Sequence, residues 1–317
     1  MVSAQPSTTY KPMLLKTVHP LELGASLYVP ATRADLLAIG LGKQIPNLRS
    51  LIYCCEDSIE ENDLPLAISN LRAVLPFLDH PMLRFARPRN PHNLETMLEM
   101  PSIEKLHGFV LPKVTANNLA DYLKVIRHSS RGFTFQYMVT VETKETFSVQ
   151  QMEHLRDLLL ASELPVLSIR IGGNDLLNLL ALRRQRGLVA YKTPLGLVIQ
   201  QLVGVFKPYG FSVAAPVYDF TDDPQTLISE ALLDVQHGLV GKTAIHPRQI
   251  ALIQAAYQVR AEDVMAATAI LAPNAPAVFR IGDQMCEPAT HHQWAKSILR
   301  QAQIYGELPA RLEEQYA

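Results

Sequence analysis

The sequence predicts an α/β protein, a (β/α)8 or TIM barrel with a C-terminal helical appendage, and three observations predict it. Strand-like and helix-like stretches alternate eight times over about 260 residues, the span of one barrel. A charged or polar residue stands just past the apolar core of six short runs. These are Glu56 and Asp57 after SLIYC, Arg87 in MLRFAR, Lys113 in GFVLPK, Glu142 in FQYMVTVE, Asp175 after VLSIRIGG and His246 in GKTAIH. A barrel builds its active site at the carboxyl ends of its strands, so repetition at one end marks both a fold and an enzyme. Finally, no internal repeat and no low-complexity tract competes with this organisation.

Residues 1–22 are polar and proline-containing and are expected to be a lead-in, with the barrel over 23–260 and an appendage for assembly or site closure over 261–317. ASLYVP (25–30) is the first strand. SLIYC (50–54) is the second, followed by a helix over 63–78 in which Leu64, Ala67, Leu71, Val74, Leu75 and Leu78 fall at helical spacing and Pro65 suits the first turn. MLRFAR (82–87) is paired with NLETMLEM (93–100). GFVLPK (108–113) leads to Thr115, the expected N-cap of a helix with Leu119, Tyr122, Leu123 and Ile126 on one face. FQYMVTVE (135–142) leads to a helix over 148–162, and VLSIRIGG (166–173) to one over 174–184. A further helix runs from Pro194 to about Pro208. It precedes a seventh strand within FSVAAPVY (211–218) and a helix over 223–237. GKTAIHP supplies the eighth strand, and Pro247 opens the eighth helix at its first position. The tail holds one helix, a short apolar strand AVFRI (277–281) and a last helix over about 289–305.

The chain has 317 residues, 48% of them hydrophobic, which suffices for one large domain plus a short appendage. Net charge is −1 and pI is near 6.8, and no basic stripe suggests nucleic acid. No run reaches the roughly 18 apolar residues of a membrane span. The greasiest stretch, LGLVIQQLVGVF (195–206), is broken by two glutamines. Residues 1–20 lack an apolar signal core with a cleavage site. Cys54, Cys55 and Cys286 cannot form a disulfide framework, so a reducing, cytoplasmic setting is expected.

Glu142 and Asp175 end neighbouring strands. Two carboxylates in one polar mouth repel unless a cation sits between them, and a hard ion such as Mg²⁺ takes one or two carboxylates and keeps other positions for water and substrate. The competing role for each is a helix cap. Gly172 and Gly173 allow a tight turn beside a ligand but lack the spacing of a nucleotide-binding loop. Arg87 suits a carboxylate clamp, or alternatively an ion pair with Glu56 or Asp57. Lys113 and His246 are candidates for polar rim, acid/base group or cap. The Cys54–Cys55 pair has no spaced partner and reads as packing. Trp294, with His291 and His292, reads as interface or core.

Taken together, CEDSI (55–59), FARPRNP (85–91), GFVLPK, VET (141–143), IGGNDL (171–176), GKTAIHPRQI (241–250) and GDQMCEP (282–288) resemble the citrate lyase β-subunit-like branch of the HpcH/HpaI aldolase/citrate lyase superfamily. The wording of GGNDLLNLLALRR and MCEPATHHQWA is similar to the subgroup found beside tellurium-resistance-type stress genes. The resemblance implies a Mg²⁺-dependent carbon–carbon lyase or aldolase that joins or cleaves a 2-oxo-acid fragment and an enolate. Its substrates are small carboxylates, CoA thioesters among them. It implies Glu142 and Asp175 as Mg²⁺ ligands and Arg87 as the arginine on substrate carboxylate or enolate oxygen. Glu56 and Asp57 would hold metal-bound waters, and Gly172 and Gly173 would lie beside the substrate. Glu287 would move a proton, from a neighbouring subunit of a homo-oligomeric trimer or hexamer. The chain departs from the family at Ala25, Cys54, Asp63–Leu64, Arg89 and Glu287, where arginine, aspartate, a lysine-containing helix start, asparagine and aspartate are usual. The altered positions at Ala25, Cys54 and Arg89 favour a rival reading, a catalytically altered barrel serving as a metal- or metabolite-binding assembly partner. A phosphoenolpyruvate-type enzyme would share the metal site and differ in substrate.

Overall fold

Eight short apolar runs pair as parallel strands in a computed structural model that describes residues 16–45 and 47–308. They are β1 Ala25–Pro30, β2 Ser50–Cys54, β3 Leu83–Arg87, β4 Gly108–Leu111, β5 Gln136–Val141, β6 Val166–Ile171, β7 Val213–Ala214 and β8 Lys242–Ala244. Sheet order runs from β7 down to β1 and then to β8. A bridge between Ala215 and Lys242 completes the ring, with the Ala215 N–H donating to Gly241 O at 2.8 Å. Both faces of these strands are covered, which is why they read as nearly continuous apolar runs.

Alternation along the strands divides the core in two. Ile52, Phe85, Val110, Met138 and Leu167 pack with Val18 and Leu23 inside the barrel. Leu27, Leu51, Tyr53, Phe109, Tyr137 and Ile169 pack outward against the helices. Those helices are α1 Leu36–Gly40, α2 Leu64–Val74, α3 Pro91–Leu98, α4 Leu119–His128, α5 Val149–Ser162, α6 Gly173–Leu179, α7 Pro194–Phe206, α8 Pro224–Gln236 and α9 Pro247–Ala255. Proline stands in the first turn of α2, α3, α7, α8 and α9, where a missing N–H costs nothing. His246 caps α9, its Nδ1 accepting from the Arg248 N–H at 3.2 Å.

Several expectations needed correction. Thr115 does not cap α4; Asn118 holds that position. Thr115 Oγ1 instead accepts from the Asn118 N–H at 3.3 Å while Asn118 Oδ1 accepts from the Thr115 N–H at 2.8 Å, a reciprocal turn that delays the helix. The helix expected over 174–184 stops at Leu179. There the Leu182 N–H returns to Leu177 O and the Ala181 N–H to Asn178 O, with Ala181 at φ 54°, a left-handed helix stop. No glycine marks that stop, and beyond it Arg184 is drawn into a buried pair with Glu230. The seventh strand is only two residues long, and α1 was not foreseen.

The tail forms α10 Ala261–Ile270, a hairpin of β9 Phe279–Ile281 and β10 Gln284–Cys286, and α11 Pro288–Tyr305. Sequence spacing had shown one strand of this hairpin. Ala266, Ala267, Ile270, Cys286 and Ala295 form its separate small core. The end of α11 returns to the segment before β1, where the Tyr305 hydroxyl donates to Leu21 O at 2.5 Å and Arg300 pairs with Glu22 at 3.0 Å. Residues 1–15 of the expected lead-in and 309–317 of the appendage lie outside the described residues. Among the described residues no helix is long and apolar enough to cross a membrane.

Candidate active site

The strand ends bring together the charges that the sequence placed there. Arg87, the last residue of β3, directs Nη2 to Glu56 Oε2 at 2.5 Å, Glu142 Oε1 at 3.0 Å and Asp57 Oδ2 at 3.4 Å. Its Nε–H is buried and has no hydrogen-bond partner among the described residues. Lys113 follows β4; its Nζ pairs with Glu56 and lies 2.9 Å from Asp57 Oδ1, and its backbone N–H donates to Glu142 Oε1 at 2.9 Å. Arg87 therefore forms the ion pair with Glu56 and Asp57, and extends it to Glu142. Arg89 donates to Glu56 O at 3.2 Å and Ile59 O at 2.9 Å, holding the loop after β2.

Gly172 follows β6, and the space a side chain would fill there belongs to Glu142. A Cβ on Gly172 would stand 2.2 Å from Glu142 Oε2 and 2.3 Å from its Cβ. Gly173 opens α6 against Pro216 and Leu195, and Asp175 stands in the first turn of that helix. Asn174 Nδ2 donates to Asp219 Oδ1 at 3.0 Å.

The cluster is short of positive charge. Glu56, Asp57, Glu142 and Asp175 face Arg87 and Lys113, a surplus of two negatives, or one if Arg89 is included. Burial pushes the Glu142 pKa up to about 7, and the Asp175 and Glu56 carboxylates push the same way against the pull of Arg87. Burial and then Asp57 raise that of Asp175. Glu142 uses Oε1 for both of its hydrogen bonds, which leaves Oε2 for a ligand. Among the described residues no three acidic, histidine or cysteine groups are spaced to cage a metal by themselves. A Mg²⁺ site with one or two carboxylates, its other positions taken by water and substrate, fits the donors present at Glu142 and Asp175.

Other candidates lie elsewhere. Glu287 begins α11, where its carboxylate accepts from the Thr290 hydroxyl at 3.1 Å and its N–H donates to His291 Nδ1 at 3.2 Å. None of its bonds joins the cluster. Cys54 and Cys55 are buried, and burial raises the Cys55 thiol well above its usual range, so it stays protonated and inert. Trp294 is exposed on α11 and so lies outside the core.

A family model described as C–C bond lyases of the TIM-barrel fold matches residues 17–307. The chain belongs to this family. It shares its TIM-barrel fold with solved citrate lyase proteins. A citrate lyase from Burkholderia xenovorans is 19% identical with a TM-score of 0.73, over 95% of this chain and 99% of that one. The CitE protein of Mycobacterium tuberculosis, solved with magnesium, acetoacetate and coenzyme A, is 21% identical with a TM-score of 0.64, over 89% and 99%. The citrate lyase beta subunit of the same organism, solved with oxaloacetate and magnesium, is 20% identical with a TM-score of 0.55, over 75% and 98%. A search of curated proteins found no match.

Proposed function

We propose that this lyase-family chain is a Mg²⁺-dependent carbon–carbon lyase or aldolase acting between a 2-oxo-acid fragment and an enolate, with acyl thioesters within its substrate range. The observation that carries the reading is the buried Glu142 carboxylate, raised toward neutrality, sharing the barrel mouth with Asp175 and clamped by Arg87. Glu142 and Asp175 would hold the ion. A bound Mg²⁺ supplies a Lewis acid for negative charge developing on substrate oxygen. Arg87 would add a second positive contact to that oxygen. Glu56 and Asp57, held by Lys113 and Arg87, would orient water at the ion. Gly172 and Gly173 bring backbone close to the substrate, and Glu287 of a second copy would move the proton. The magnesium-bound neighbours support this metal, and three buried unpaired cysteines support a cytoplasmic setting.

The test is exchange of the methyl protons of pyruvate in deuterated water, which needs only the enolate half of the reaction. Mg²⁺-dependent exchange in the wild type, lost in Asp175→Ala, is expected. Absence of metal-dependent exchange across a panel of 2-oxo acids and thioesters would favour the catalytically altered barrel.

A further inference from the structure

The barrel layer below the cluster holds a buried cation that this chemistry does not use. Arg170 is 2% exposed and lies on β6 two residues before Gly172, so strand alternation directs both toward the barrel axis. Strand rise separates the two by about 7 Å, on the scale of a short dicarboxylate. Arg170 Nη2 donates to Thr243 Oγ1 of β8 at 2.5 Å, and Nη1 reaches Met138 Sδ at 3.6 Å. Its Cζ stands 5.4 Å from the centroid of the Tyr28 ring, and Arg87 Cζ stands 5.9 Å from the same ring. One tyrosine thus connects this layer to the mouth.

No acidic side chain among the described residues pairs with Arg170, whose protein partners are a hydroxyl and a thioether. That sets it apart from Arg87, Arg184 and Lys242, each buried against a carboxylate. A guanidinium cannot shed its proton, and an unpaired buried charge is costly. Opposite Arg170 in the strand register stands Thr140, whose hydroxyl is buried without a partner among the described residues. Tyr28 and Thr243, which touch Arg170, nevertheless keep partial exposure.

We propose that Arg170, with Tyr28, Thr140 and Thr243, forms an anion subsite in the barrel throat that selects substrates bearing a second carboxylate. This rests on the lyase reading, in which the first carboxylate is held at the mouth. The signal in the sequence was a lone arginine inside the apolar run VLSIRI, in step with Gly172.

Pyruvate and oxaloacetate differ by one carboxylate and separate the two ideas. Calorimetric titration of the Mg²⁺-loaded full chain is expected to show oxaloacetate binding about ten- to a hundredfold more tightly, the range of one charged hydrogen-bonded contact. Arg170→Gln and Arg170→Met are expected to abolish that preference and leave pyruvate affinity unchanged. Thr243→Val, which removes only the hydroxyl that positions the guanidinium, is expected to reduce it, and circular dichroism reports whether each variant folds. Equal affinity for both acids in the wild type, a preference that survives in the folded variants, or parallel loss of both acids overturns the subsite and leaves the metal site standing. Failure of the wild type to bind either acid overturns both.

Discussion

Arg87 Nη2 lies 3.0 Å from Glu142 Oε1, a contact that crosses the barrel mouth from the end of β3 to the residue after β5. Both side chains are buried, so each depends on the other to carry its charge. Arg87→Ala is expected to destabilise the fold by about 3–5 kcal/mol, the usual result of leaving one partner of a buried pair alone. It is also expected to drive the Glu142 pKa above 7 and bring proton exchange near background. Arg87→Lys keeps the charge but loses the planar fork, and should retain more stability than exchange activity. Urea melts and exchange rates measured on the same samples check this; a melt unchanged in Arg87→Ala would show that the pair contributes nothing.

Gly172→Ala puts a methyl group where Glu142 stands, 2.2 Å from Oε2. Glu142 must move, and with it one of the two proposed ligands. Titration with Mg²⁺ or Mn²⁺ should find one site per chain in the wild type and a loss in Gly172→Ala comparable to that in Glu142→Gln. Wild-type affinity in Gly172→Ala would mean that Glu142 is not a ligand.

The tail carries a surface the barrel does not need. Val278, Met285 and Trp294 are all substantially exposed around the hairpin and α11. A homo-oligomer, trimer or hexamer, is expected, with the tail against a neighbour and Glu287 carried toward its barrel mouth. Light scattering should show the full chain as an oligomer, and Glu287→Gln should slow exchange without changing metal affinity. A monomeric full chain would sink this arrangement.

His107 sits before β4, its Nδ1 accepting from the Arg84 N–H at 3.1 Å. Burial first, then the charges of Lys16 and Arg84, hold its pKa down to about 4. In the unfolded chain it titrates near 6.5. Between these values the unfolded state binds more protons, so the stability contributed by the neutral ring is fully present above about pH 6.5 and is lost as pH falls toward 4. Melts of His107→Phe should be flatter over that window than those of the wild type. Nuclear magnetic resonance titration should place the His107 midpoint near 4; a midpoint near 6.5 would refute the assignment.

Most of the strands were legible because each is a short, mainly apolar run bounded by turn residues; β8, Lys242–Ala244, is not such a run and is read from its place in the alternation. The cluster was legible for a related reason. In parallel strands that all end at one mouth, position along the chain largely determines position in space, so Glu56, Arg87, Lys113, Glu142 and Asp175 gather there, whereas His246, also past a strand, caps α9 instead. The carboxyl-end rule could not tell which of these would pair. Arg87 suits a clamp or an ion pair by sequence, and folding supplies the ion pair, because the residues after β2 and β5 each present a carboxylate within reach of one guanidinium.

By itself the sequence determined strand number, order of elements and the chemistry at the strand ends, since these depend on local periodicity and chain order. Only the tertiary structure decided which glycine clears room for Glu142, where α6 stops without a glycine and which charges are buried. Lys242 in GKTAIH shows why. Its neighbours in the chain give no hint of a partner, yet its ammonium lies 2.8 Å from both Glu230 and Asp234 of α8, fully enclosed. Arg170 is the opposite case, 2% exposed and, among the described residues, without a carboxylate partner. Burial and pairing are set by residues far apart in the chain, and the cost of an unpaired charge appears only once the low-dielectric surroundings have closed around it.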